Sequence, residues 1–242
     1  MDNNGNRVEP LQALRGIAFL GIFLAHAGCT VSWSHFGVSI FFVLSGFLLA
    51  RNHYDEQYNC GFTENIKYSW DKIKKLYPLH VVTTLFVAAM LIAQYYLRGN
   101  SIVIIFKQLF FNLALVQSCI PNSEFSTSLN GVAWFLSCMA FLYFMYPCIS
   151  TVLRKISDKN KIPLYYIFVY LTQIMIGIFL YYIIGYNDYF TNLTYTFPLF
   201  RLFDFVLGLL LGYYVVSYAQ KHQNHINKIG GVQVIYLKFA FS

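Results

Sequence analysis

"LQALRGIAFLGIFLAHAG", residues 11–28, is an apolar run of membrane-helix length that nevertheless carries two ionisable side chains, Arg15 and His26. A bilayer span needs roughly 20 predominantly apolar residues, so the stretch reads as a first transmembrane helix. Eleven positions separate Arg15 from His26, which at ~1.5 Å and ~100° per residue sets them ~16 Å apart along the axis on nearly the same face. Snorkelling accounts for Arg15 alone, and a hydrogen bond to a neighbouring helix accounts for His26 alone. Their common stripe is what singles them out.

The rest of the chain follows the same pattern. Of its 242 residues 57% are hydrophobic and only 11% charged, with a mean hydropathy of +0.52, which excludes an ordinary soluble domain. The expected fold class is all-α: one polytopic transmembrane bundle of about six to seven helices, occupying residues 1–242 as a single membrane domain. Candidate spans are 11–30, 36–50, 79–97, 102–118, 132–153, 164–185 and 198–218.

The formal net charge of +7 does not point to nucleic acid, because the basic residues sit in short clusters between apolar runs: Arg51 to Lys75, Arg154 to Lys161, and Lys221 to Lys228. By the positive-inside tendency those loops and the N-terminus are cytoplasmic. The leader Met1 to Pro10 precedes no small-residue cleavage site, so the first helix is expected to be retained. With Lys75 inside and Pro121 outside, only an odd number of crossings fits between them. The stretch 102–118, interrupted by Lys107, Gln108 and Asn112, is therefore expected to lie in the interface or re-enter. After Gly230 and Gly231 another apolar run begins, and the chain is expected to end inside an eighth helix.

Five cysteines, at 29, 60, 119, 138 and 148, lack the spacing of a zinc or redox site, so no metal is expected. Cys29 and Cys119 both face outward on this topology and are the expected pair if a disulfide forms; buried, inert thiols are the default.

Three further stretches carry polar chemistry. In "GVSIFFVLSGFLLAR" Ser39, Ser45 and Gly46 interrupt an apolar helix. With Gly16 and Gly21 they allow the first two helices to approach, bringing Ser45 towards the Arg15 end, as packing motif or as site. "KIKKLYPLH" sets Lys72 and Lys75 three apart, as a topology signal or as a seat for the phosphates of an anionic donor. "PLFRLFDFVLGLLLG" sets Arg201 and Asp204 three apart on one helix face, an expected internal ion pair. Trp134 reads as an aromatic at the outer boundary.

Taken in order, these segments resemble the integral-membrane acyltransferase 3 family, over about residues 10–217. "LRGIAFLGIFLAH" is similar to its first-helix signature, "GVSIFFVLSGFLL" to its second helix, "KIKKLYPLH" to its basic pair before a proline, "WFLSCMAFLYFMYP" to its Trp and Leu-Ser helix, and "PLFRLFDFVLGLLLG" to its Arg-containing helix. The resemblance implies a bundle lacking the family's C-terminal helices, and O-acylation of a carbohydrate or other envelope acceptor, with acyl-CoA as co-substrate and no bound cofactor. It also implies a bacterial cytoplasmic membrane, His26 as catalytic histidine, Arg15 as a required first-helix arginine and Lys72 and Lys75 as the donor-side pair; Ser45 is a conceivable relay. Lysines replace the usual arginines of that pair, Ser39 replaces an acidic residue, and Met139 replaces a glutamate. A carrier in which Arg15, His26, Arg201 and Asp204 line a path, or a non-catalytic fragment, are the readings from other classes.

Overall fold

The computed structural model describes residues 9–28, 34–156 and 159–229, and among the described residues it is helical with no strand. The all-α bundle expected from composition is what the chain adopts. Among the described residues four stretches are long and apolar enough to cross a membrane: Tyr77–Leu97, Trp134–Arg154, Lys159–Ile184 and Asp188–His222. The first two helices, α1 (Glu9–His26) and α2 (Ser34–Asn52), carry shorter apolar runs, Ala13–Leu24 and Phe36–Asn52.

The chain divides into two compact units. The first comprises α1, α2, the opening turns of α8 (Ile162–Ile184) and α10 (Pro198–Ile229) from Asp204 onward. Between apolar helices in lipid the hydrophobic effect offers little drive to associate, so close van der Waals packing at small residues has to supply it. Gly37 of α2 provides that approach to α1: a Cβ there would lie 2.9 Å from the Ala18 carbonyl oxygen. Gly16, one of the two glycines of α1 expected to do so, faces open space.

Gly46 serves a different neighbour. A Cβ on it would run into the Phe205 carbonyl of α10, one on Gly208 would run into the Val43 carbonyl of α2, and one on Gly212 would come within 2.7 Å of the Phe47 carbonyl. Backbone therefore meets backbone along α2 and α10, and Phe42, Ala50, Phe205 and Leu209 are fully buried there.

The second unit holds α3 (Phe62–Ile73), α4 (Tyr77–Leu97), α5 (Val103–Leu113), the single-turn α6 (Ser123–Ser126) and α7 (Trp134–Arg154). It also holds the rest of α8, α9 (Asp188–Tyr195) and the first turn of α10. Here side-chain bonds to backbone do the joining. α3 buries Asn65, Ser69 and Ile73; Ser69 Oγ donates to the Ala140 carbonyl of α7 at 2.7 Å, and Cys60, just before α3, forms a disulfide with Cys148 of α7. The expected pairing of Cys29 with Cys119 does not occur: Cys119 is a free, exposed thiol, and Cys29 lies outside the described residues. Sequence separation hid the true pair, whose members stand 88 residues apart and meet only because α3 packs on α7.

α5 has 11 residues, about 16 Å of helix, too short to cross a core of about 30 Å. It doubles back on α4: the Tyr77 hydroxyl donates to the Leu113 carbonyl at 2.9 Å, and His80 Nε2 lies 3.0 Å from the Asn112 carbonyl oxygen. The loop that follows stays beside the first turns of α4, with Asn130 Nδ2 3.4 Å from Thr83 Oγ1. The 121–130 segment was expected at the far end of α4 from Lys75; it sits instead at the near end, because the α4–α5 hairpin returns the chain to where it began.

Two stability outcomes follow. Gly208→Leu should lower the thermal midpoint of the purified protein by the equivalent of about 1–3 kcal/mol, from forced separation of α2 and α10, read by fluorescence-detected size exclusion after heating. The double change Cys60→Ser, Cys148→Ser should cost about 2–4 kcal/mol in the same assay, and Cys119→Ser should cost little.

Candidate functional site

The α1 stripe runs along a continuous helix, so Arg15 and His26 keep the register expected of them. Arg15 is half-buried; the His26 side chain lies outside the described residues. Ser45, half-buried on α2, donates its hydroxyl to the Phe41 carbonyl one turn back at 2.8 Å, the local bond serines make inside helices, which leaves its oxygen able to accept.

The basic pair separates. α3 ends at Ile73, so Lys72 belongs to its last turn while Lys75 stands exposed in the turn leading to α4. Lys72 is half-buried, with its ammonium 5.1 Å from the centre of the Tyr68 ring one turn earlier. Tyr68 stacks on Tyr146 of α7 at 5.2 Å, and Tyr58 meets both rings edge-on at 5.3 Å. Such a face attracts a cation through the ring quadrupole. Burial pulls the Lys72 amine below the ordinary lysine range, opposed by the charges of Glu56 and Asp71. The Tyr58 phenol is pushed up by burial and then by its hydrogen bond to Glu56, and the Tyr68 phenol by burial first and by Tyr146 next. Both hydroxyls therefore stay protonated and leave Lys72 the cation of this cluster. Lys74 takes a different partner, Asp71 at 2.6 Å, whose carboxyl it holds below the usual range.

The tyrosine platform was not foreseen. Tyr68 is legible as the i−4 neighbour of Lys72, but Tyr58 and Tyr146 reach it only through the packing of the 56–61 segment and α7. The disulfide pins that arrangement, since Cys60 and Cys148 each follow a platform tyrosine by two residues.

Arg201 and Asp204 are both buried. Arg201 Nε donates to the Tyr195 carbonyl at 2.7 Å, and its guanidinium lies 5.1 Å from the Tyr195 ring centre, so it closes the turn between α9 and α10. Trp134, read as a boundary aromatic, is the first residue of α7 and is buried, 4.9 Å from the same Tyr195 ring. One tyrosine at the α9 terminus thereby collects two residues the sequence had assigned to separate motifs.

The second unit also buries a chain of hydroxyls and amides. Ser137 Oγ donates to the Leu115 carbonyl at 2.8 Å and contacts Ser118 Oγ at 2.7 Å, while Asn112 Nδ2 donates to Ser128 Oγ at 2.8 Å. Leu115 has φ of +53°, a left-handed conformation costly for a leucine, and these bonds hold it there.

Four long apolar helices and this polar, cation-bearing interior define an integral-membrane helical protein. It belongs to the acyltransferase 3 family, whose acyltransferase domain matches residues 9–241. Acyltransferase MdmB of Streptomyces mycarofaciens is 30% identical over 172 residues, 64% of this chain and 42% of that protein. The chain thus spans less than half the length of this relative. No solved structure matches it.

Arg201→Leu should destabilise the protein by about 1.5–3 kcal/mol, by leaving the Tyr195 carbonyl unbonded in a buried site, measured as a fall in thermal midpoint. Ser137→Ala should cost about 1–3 kcal/mol for the same reason at Leu115 and Ser118.

Proposed function

We propose that the chain is a membrane-bound O-acyltransferase that moves an acyl group, acetyl in the simplest case, from cytosolic acyl-CoA to a hydroxyl of an extracytoplasmic carbohydrate, in a bacterial cytoplasmic membrane with its N-terminus inside. The observation that carries this reading is the α1 stripe: Arg15 and His26 share one face of one continuous helix in a chain of the acyltransferase 3 family. The name of the relative, acyltransferase, supports the same reaction class.

In this reading Lys72 binds a phosphate of the donor. Its amine is partly desolvated and backed by an aromatic face, which favours an anion brought in to replace lost hydration. Lys75 adds a solvated charge at the entrance. Arg15 orients the donor, and His26 acts as general base: its neutral imidazole takes the proton of the acceptor hydroxyl as the oxygen attacks the thioester carbonyl, and the coenzyme A thiolate leaves. The proton then passes from the imidazolium to the departing sulfur. Ser45, one helix away, has an oxygen free to accept a hydrogen bond along this route.

Membranes containing the protein, given labelled acetyl-CoA, should transfer label to alkali-labile O-acetyl groups on surface polysaccharide. His26→Ala should abolish the transfer with the protein still inserted; retained turnover would remove His26 from the mechanism. Lys72→Ala should raise the KM for acyl-CoA by about tenfold, the loss of one charge-assisted contact of ~1.5 kcal/mol. Uptake of a solute without acyl transfer would favour a carrier instead.

A further inference from the structure

A cavity of about 390 Å³ opens in the second unit between α3, the end of α5 and α7. Ile66 and Trp70 of α3, Ala114 and Cys119 of the turn after α5, and Ala140 and Phe141 of α7 form its walls. Two hydroxyls also line it, and both are spent on its frame: Ser69 donates to the Ala140 carbonyl, and Tyr77 to the Leu113 carbonyl. A third frame bond, Ser137 to the Leu115 carbonyl, fixes the left-handed turn against α7. The cavity is therefore held open by three bonds between different elements, and it offers an occupant hydrocarbon and aromatic walls in place of a row of hydrogen-bonding groups. Pockets of that lining take apolar ligands.

Its surroundings specify the ligand further. α3 exposes Phe62, Ile66 and Trp70 at i, i+4 and i+8, and the last two also line the cavity, so the opening is continuous with an apolar stripe. On the adjoining stripe Lys67, Trp70 and Lys74 recur at i, i+3 and i+7, and Lys67 and Lys74 are exposed. Asp71 offsets Lys74 in part, but from Lys67 to Lys75 the segment has four lysines against one aspartate. An amphipathic helix with an apolar face beside lysines is the form that lies in the headgroup region of a bilayer.

We infer that this cavity is a phospholipid site: one acyl chain of an anionic glycerophospholipid enters between α3 and α7, and its phosphate rests against Lys67 and Lys74. This inference does not depend on the transfer reaction proposed above. It assigns α3 a lipid ligand on the stripe next to Lys72, and it makes Ala114 and Ala140 the positions that keep the chain's path open.

Photo-crosslinking of the full chain in phosphatidylcholine vesicles tests it. Three probes carry the same diazirine-bearing acyl chain: a phosphatidylglycerol, a phosphatidylcholine and an acyl-CoA. Phosphatidylglycerol should label the peptides bearing Trp70 and Phe141 more strongly than those bearing the exposed Phe168 and Phe179 of α8, and it should slow alkylation of Cys119 by N-ethylmaleimide. Ala140→Phe, and independently Ala114→Phe from the opposite wall, should abolish the Trp70 and Phe141 labelling while leaving that of α8. Lys67→Gln with Lys74→Gln should erase the advantage of phosphatidylglycerol over phosphatidylcholine. Labelling no stronger than that of α8, or labelling unchanged by both filling variants, overturns the site. Labelling by acyl-CoA and by neither phospholipid overturns it too, and makes the cavity a donor pocket; equal labelling by the two phospholipids from the outset overturns the headgroup contact.

Discussion

Backbone approach at Gly46, Gly208 and Gly212 is the contact on which the first unit depends. Helices as apolar as α2 and α10 gain little by leaving lipid for one another, so their association rests on packing distance, and distance is set by what stands on the facing residues. Three glycines bring carbonyl and amide groups of the two helices within a methyl group of each other. Everything that positions the C-terminal half of α2, Ser45 included, follows from that register. Gly37 performs the same service between α2 and α1, and so places the Arg15 stripe relative to α2.

The second unit solves the same problem with polar groups. Ser69, Tyr77, His80, Asn112 and Ser137 each bond a carbonyl or side chain of a different element. Such a bond is worth only about 0.5–1.5 kcal/mol net, yet leaving its partner buried and unmade costs more, so the set specifies one arrangement even where it adds modest stability. The disulfide adds a covalent tie at the Cys148 level of α7. The consequence is a rigid frame around Lys72 and around the cavity beside it.

The candidate residues differ in how far the sequence could place them. Arg15 and His26 were placed by helical arithmetic alone, because both lie in one uninterrupted helix. Lys72 was found as a charge, but its aromatic backing was not, since Tyr58 and Tyr146 stand 10 and 78 residues from Tyr68. Arg201 was read as half of an ion pair from i, i+3 spacing; its donation from Nε to the carbonyl of Tyr195 is a contact that this spacing does not display. Trp134 was read from its boundary position and does open α7, while its burial against Tyr195 is a contact that position alone does not display.

Composition and hydropathy period determined that this is an all-α membrane protein, because apolar length and helical spacing are local properties that lipid enforces, and the order of five short motifs carried its resemblance to the acyltransferase 3 family. Local spacing also determined that Arg15 and His26 share a face. The tertiary structure decided that α5 folds back on α4, that Cys60 pairs with Cys148, that three tyrosines back Lys72, and that Gly46 faces α10 while Gly37 meets α1. Those are facts about which surfaces meet. Between apolar helices that choice depends on a few small residues and buried hydrogen bonds, whose partners are fixed only when the whole chain has packed.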